Sequence, residues 1–374
     1  MTSPSSQISL ILDDSNNAFF HFDNSTASTN LPLYYLGTLN VAGSPTTAGN
    51  TTFVEILFDG SSIAIFGTTA TPQTTLSEEF TVIIDNGDPY TTSYSDPSPP
   101  SYRQWYQSPL LEDGTHNITL SNVFGASIDY AVIQTDVSTN VAAEAEQIII
   151  VDSNDPSINY AGRGWTETTD TFTSSYENAV TVVPYGNSTH KTSTFGSSFS
   201  FDFTGNELTL YGVFDYTRLG IMNVTFSLDG FTSSTFYEVL PVVENFLDGV
   251  IQPNFPLYTS PNGMLAGLHT LVVEVVACEN LTLTLDYFTY APAEAASSPA
   301  TESSSSRKSH AGAIAGGIVG GLAFLLITAL ILDCVRRRKR QLRRNFMYPF
   351  QSNALSSNGI PLASIQGTAF PQKT

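Results

Sequence analysis

"FTGNELTLYG", Phe203 to Gly212, repeats a pattern the chain has already used as "FDGSSIAIFG", Phe58 to Gly67. Both read Phe-x-Gly-x-x-[Ile/Leu]-x-[Ile/Leu]-aromatic-Gly without a gap. The match extends beyond the ten residues. "FTVIIDNG" (Phe80–Gly87) corresponds to "VTFSLDG" (Val224–Gly230), each an alternating run that ends in a turn. "YQSPLLEDGTHNITL" (Tyr106–Leu120) corresponds to "YTSPNGMLAGLHTLVV" (Tyr258–Val273), both carrying Tyr-x-Ser-Pro and then Gly-x-His. "SIDYAV" at Ser127 corresponds to "TLDYFT" at Thr284. The order is kept while spacings differ, as expected for loop insertions between matching strands of two tandem copies.

Within each copy the apolar period is two. Phe199, Phe201 and Phe203 alternate with Ser200 and Asp202, and Leu281, Leu283 and Leu285 with Thr282 and Thr284. One face is apolar and the other rich in hydroxyls, the pattern of half-buried antiparallel strands. Gly, Asn, Asp and Pro clusters punctuate the runs, and no amphipathic helical segment precedes residue 310. The expected fold is all-β: two tandem jelly-roll β-sandwiches at 8–134 and 148–290, joined by a linker at 135–147 after a disordered 1–7. Each copy contains every repeated strand, so residues 148–290 are expected to fold alone. Glycine in Phe-x-Gly is expected to allow a sharp turn between strands.

The chain has 374 residues and a net charge of −20, unevenly placed. Asp333 is the only acidic residue after 312, whereas seven basic residues crowd "RRRKRQLRR" from Arg336 to Arg344. Just before them "AGAIAGGIVGGLAFLLITALIL", 311–332, carries no charge and is long enough to span a bilayer core as a helix. The basic cluster places the C-terminus in the cytosol and residues 1–310 outside, at the plasma membrane. Gly312, Gly316 and Gly320 recur every fourth residue, a spacing that lets two helices approach, so homodimerisation through this helix is a candidate. Cys334 beside the basic cluster is a palmitoylation candidate. "MTSPSSQISLILDDSNN" lacks a basic n-region, so a signal segment is expected upstream of this Met1. Residues 291–310 read as a Ser/Thr/Pro-rich stalk and 333–374 as a disordered tail.

The acidic body disfavours nucleic acid as a partner. Cys278 and Cys334 flank the membrane segment, so no disulfide framework is expected, and no cofactor motif occurs. Sequons stand at Asn24, Asn50, Asn117, Asn187, Asn223 and Asn280, all on the expected outer side.

"VDSNDPSINYAGRGW" at 151–165 completes a recognisable series. Asp-x-x-Asp-Pro-x-Ile-x-Tyr with its following Trp, then Phe-x-Gly, Leu-Asp-Gly, Gly-x-His-Thr-Leu and Leu-Asp-Tyr, resembles a family of fungal (basidiomycete-type) surface proteins. These have tandem ectodomains similar to galactose-binding-like sandwiches, one membrane helix and a short basic tail. The likeness covers 148–340 well and 8–134 less well, because "LDDSNNAFFHF" at 12–22 lacks both the Asp-Pro step and the tryptophan. The Gly-x-His and Asp-Tyr elements also resemble closing strands of some carbohydrate-binding modules.

The resemblance implies architecture more than mechanism, so candidate chemistry is read from the residues. His116 and His269 are equivalent, as are Asp129 and Asp286. No nucleophile motif accompanies the histidines, so both pairs are read as structural, with the aspartates pairing the histidines or capping strand ends. No local motif selects two facing carboxylates for glycoside hydrolysis, and the protein is not expected to be an enzyme. Asp152 and Asp155 are weak calcium candidates that also fit ordinary Asx turns. Aromatic rings stack on the apolar faces of sugars. Trp165 with Arg163, Tyr258, and Trp105 with Tyr106 are therefore the ligand candidates, against the plain alternative of core packing. The leading expectation is a single-pass surface protein that binds glycan or cell-wall material and senses it through the tail. Its rivals are an adhesion protein that binds other proteins and a carbohydrate-active enzyme with its site on sandwich loops.

Overall fold

The computed structural model describes residues 7–23, 25–43, 52–69, 79–94, 101–136, 147–174, 180–240 and 249–293. The expected membrane helix with Gly312, Gly316 and Gly320, the tail with Cys334, and the sequons Asn24 and Asn50 lie outside the described residues. The described residues form 24 β-strands and two single-turn 3-10 segments. No helix among them is long and apolar enough to cross a membrane.

The first copy is a sandwich. One sheet runs Ser101–Gln107, Ser62–Thr68, Tyr130–Asp136, Gln7–Asp13, all antiparallel. The other runs Phe20–Phe22, Thr52–Gly60, Gly114–Ser121, Glu79–Ile84, Tyr90–Ser93. Leu10, Phe58, Ile63, Phe80, Ile118 and Leu120 fill the space between them. Strand alternation supplies this core: in Thr52–Gly60 every second side chain from Val54 onward is buried. The second copy repeats the plan. Ile148–Asp152 pairs with Leu283–Pro292 and Ile251–Thr259 with Ser198–Asp215, while on the other side Gly220–Leu228 lies between Gly267–Glu279 and Phe231–Val239. Phe199, Phe201, Leu210, Phe226, Leu271 and Phe288 form its core.

The repeated motif is the crossing between the two sheets. Ser198–Asp215 is one continuous strand: its first half, to Gly205, pairs with Gly267–Glu279, and its second half pairs with Leu283–Pro292. In the first copy the same path is broken into Thr52–Gly60 and Ser62–Thr68. A Cβ on Gly60 would overlap the Gln134 carbonyl oxygen, and one on Gly205 the Ala291 carbonyl oxygen. Gly67 and Gly212, which close the motif, sit in the same way on the carbonyl oxygens of Ser127 and Thr284. None of the four has a positive φ. The turning role expected for glycine is therefore corrected: these positions need hydrogen as the side chain because another strand's backbone crosses directly above them.

A third apolar cluster belongs to neither copy alone. It joins Ile11, Tyr35, Phe66, Tyr102, Tyr130 and Val132 to Ile150, Val182, Tyr211 and Tyr287. The Gln7–Asp13 strand pairs antiparallel with Ile148–Asp152, Leu10 opposite Ile149, and Val180–Val182 pairs parallel with Ser101–Gln107. Ring contacts across the junction are reciprocal. Tyr35 meets Tyr211 with centroids 5.6 Å apart, and Tyr185 meets Phe66 at 5.7 Å. Tyr35 and Tyr185 open equivalent 3-10 turns, while Phe66 and Tyr211 are the aromatic of the repeated motif. Such exchange is the pattern of an isologous, two-fold-like interface, here within one chain. Neither copy thus buries all of its apolar surface by itself.

Candidate functional site

The equivalent histidines are structural clamps. His116 Nδ1 bonds Asp85 at 2.6 Å, and His269 Nδ1 bonds Asp229 at 2.6 Å. The other ring nitrogens meet the carbonyls of Glu112 and Leu265 at 2.7 and 2.8 Å. Carboxylate and carbonyl are both acceptors, so each ring serves best as a doubly donating imidazolium. Burial lowers the His116 pKa but is outweighed by the bonds to Asp85 and the Glu112 carbonyl; the Asp229 bond raises that of His269. Asp85 and Asp229 are the first residues of tight hairpin turns, both with φ 51°, so each clamp pins a hairpin tip to the next strand.

Asp129 and Asp286 do not join them, contrary to the pairing considered from sequence. Both are buried at the junction. Asp129 Oδ2 accepts from the Tyr35 amide at 3.0 Å and from the Tyr102 hydroxyl. Desolvation by burial raises both carboxyls far above the ordinary range.

Most of the aromatic ligand candidates turn inward. Trp105 and Tyr106 are 4% and 5% exposed in the first core, with Trp105 Nε1 donating to the Ser127 carbonyl at 2.8 Å. Neither can present a ring to a sugar. Trp165 is half-buried against Tyr160 and Phe199, and its Nε1 donates to the Ser198 carbonyl at 2.9 Å. Tyr258 is half-buried and stacked on Phe226 with centroids 4.7 Å apart. Arg163 is exposed, and its carbonyl accepts from Ser197 Oγ. The calcium candidates are turn formers: Asp152 Oδ1 accepts from the Asn154 amide, and Asp155 Oδ1 from the Ser157 amide and hydroxyl. No group of three or more His, Cys, Asp or Glu residues suited to a metal occurs among the described residues. Asn187 and Asn280 are exposed, whereas Asn117 and Asn223 are half-buried.

A concave feature of the second copy is lined by Gly164 and Thr166, the neighbours of Trp165. A cleft of about 430 Å³ is lined by residues between Gly164 and Thr284. Strand registry builds its floor. Thr166 stands opposite Lys191, and Lys191 opposite Thr284, so three side chains cross three strands in one row. Thr168 and Thr189 form the adjoining row. Two ion pairs occupy the walls: Lys191 Nζ to Asp170 at 2.9 Å, and Arg218 Nε to Asp215 at 3.1 Å. Phe172, half-buried, supplies an aromatic edge, and Leu281 an apolar one. The lining combines hydroxyls, carboxylates and cationic donors with some apolar surface, which suits a neutral or mildly polar ligand with many hydroxyls.

No protein-family model matches this sequence, and no curated protein matches it. Solved structures do resemble the fold. A Paenibacillus xanthan lyase matches over 72% of this chain at 14% identity, with a TM-score of 0.27. The chain spans only 25% of that lyase. The N-terminal CBM22-1–CBM22-2 tandem domain of Paenibacillus barcinonensis Xyn10C matches over 78% of this chain and 92% of its own length, at 10% identity and a TM-score of 0.23. A structure described under the promiscuous specificity of carbohydrate-binding modules of the β-sandwich superfamily matches over 63% and 98%, at 12% identity and a TM-score of 0.19. These likenesses are too distant to carry function.

The candidate Trp165 adjoins this cleft without lining it. "GRGW" adjoins the cleft, but strand alternation sends Trp165 inward and leaves Gly164, Thr166 and Thr168 facing it. Lys191, Arg218, Asp170 and Asp215, which line the cleft, are not among the sequence candidates. One signal was available: Arg103, Arg163, Lys191 and Arg218 are the only lysine and arginine residues among the described residues, and two of them line one cleft.

Proposed function

We propose that the chain is a single-pass plasma-membrane surface protein of the fungal type it resembles, whose second sandwich binds a glycan in the Thr166–Lys191–Thr284 cleft. The observation that carries the binding role is the cleft itself: the Thr166–Lys191–Thr284 and Thr168–Thr189 rows, with the Lys191–Asp170 and Arg218–Asp215 pairs and Phe172 in the same lining. Sugars offer vicinal hydroxyls that both donate and accept, and paired charged side chains meet both needs at once. The uncharged 311–332 stretch and its basic stop support the membrane placement. Six sequons support a secretory route to the surface and glycosylation of the ectodomain.

A glycan array probed with the full chain in detergent micelles tests the reading. Binding is expected, and Arg218→Ala or Asp170→Ala should weaken it about tenfold, the cost of one charged hydrogen bond. An unchanged affinity in both variants would move the site away from this cleft.

A further inference from the structure

The cleft's charges narrow the ligand class, an inference that rests on its reading as a glycan site. Lys191 and Arg218 are the basic side chains that line it, and each already has a carboxylate partner, Asp170 at 2.9 Å and Asp215 at 3.1 Å. The Thr168 hydroxyl, together with the hydrogen bond and charge of Lys191, holds the Asp170 carboxyl below the usual carboxylate range. A uronate, sulfate or phosphate entering here would meet two carboxylates as well as two cations. It would also have to approach a chain whose net charge is −20, whose acidic residues lie almost wholly before 312. The remaining lining is hydroxyl and apolar: Thr166, Thr168, Thr189, Thr284, Phe172, Leu281.

We infer that the cleft selects neutral glycans and rejects acidic ones, with Asp170 and Asp215 as the residues that set this preference. In that role each carboxylate does two things. It neutralises its cation against anionic ligands, and it accepts from ligand hydroxyls with the oxygen lone pairs its cation leaves free.

The test titrates the full chain in detergent micelles with hexasaccharides of glucose, mannose, galactose and xylose, and with hexamers of galacturonate and hyaluronan. At least one neutral probe is expected to bind with an affinity nearly independent of salt, and the acidic probes about tenfold more weakly or worse. The double variant Asp170→Asn, Asp215→Asn frees both cations, and its affinity for galacturonate at low salt should rise about tenfold while neutral binding falls. Acidic probes that bind the natural chain more tightly, with steep salt dependence, would overturn the inference and leave glycan binding intact. A double variant that gains nothing for galacturonate would overturn it as well. Failure of all probes, neutral and acidic, would instead sink the glycan reading itself.

Discussion

Asn254 Nδ2 donates to the Tyr102 hydroxyl at 2.9 Å, and these two residues occupy the same place in the two copies, four positions before Tyr258 and Tyr106. Duplication thus produced a contact between a position and its own counterpart, in which one copy keeps tyrosine and the other asparagine. The asparagine extends the network: Nδ2 also reaches the Leu33 carbonyl at 3.0 Å, and Oδ1 accepts from the Tyr287 hydroxyl at 3.0 Å. Tyr102 in turn donates to Asp129. The junction of the copies is therefore held by a buried polar chain inside a tyrosine-rich apolar cluster.

Replacing Asn254 by Leu keeps the volume, strands the Leu33 carbonyl and the Tyr287 hydroxyl, and puts leucine at a left-handed φ of 51° that asparagine tolerates better. A loss of about 2–3 kcal/mol in denaturant unfolding is expected. Tyr102→Phe should cost less, because Asp129 retains the Tyr35 amide. Equal stability of Asn254→Leu and the natural chain would show that this polar chain contributes nothing to stability.

The buried carboxyls make stability fall as pH rises. Burial lifts Asp14 to about 7 and Asp152 to about 6, and raises Asp129 and Asp286 well above the ordinary carboxylate range. A carboxyl whose pKa is raised by folding favours the folded state fully below its unfolded pKa, near 4, and that contribution is lost as pH climbs through the folded value. The melting temperature should therefore drop between pH 5 and pH 8, and Asp14→Asn should flatten the drop. A melting temperature that rises over this interval would contradict the burial of these groups.

The histidine clamps titrate with their own window. Raised His116 and His269 stabilise fully below the unfolded histidine pKa and lose that contribution as pH rises through the folded value. Lowered Asp85 and Asp229 stabilise above the unfolded carboxylate pKa and lose it as pH falls. Each clamp is strongest between about pH 4 and 6.5. The aspartates are 46% and 41% exposed, so His116→Gln or His269→Gln should cost below about 1 kcal/mol. NMR titration of the ring protons reads the shift directly; midpoints below that of free histidine would refute the clamp.

Gly67→Ala and Gly212→Ala should each destabilise by about 2–3 kcal/mol, since the new methyl meets a backbone carbonyl that cannot move without its strand. Gly114→Ala is the control: nothing lies within 4 Å of its Cβ position, and little change is expected. If all three variants unfold at the same denaturant concentration, the crossing argument fails.

Much of this was legible in one dimension. Period-two alternation in runs such as Phe199–Phe203 marks strands because a pleated chain sends successive side chains to opposite faces, a purely local consequence of backbone geometry. The repeat of Phe-x-Gly, Leu-Asp-Gly, Gly-x-His and Asp-Tyr likewise disclosed two copies of one plan, and the uncharged 311–332 run stands out without any fold. Tertiary structure decided what no local rule contains. Alternation says that Ser62–Thr68 has two faces but not that both are buried, one in the first core and one against the second copy. It also could not say which side of Trp165 would meet solvent, because that depends on the sheet packed beneath it. Lys191, Thr166 and Thr284 are far apart in sequence and become one row only through strand registry. Registry is set by long-range pairing and by the shape of a shared core, so the cleft, unlike the strands that build it, exists only once the chain has folded.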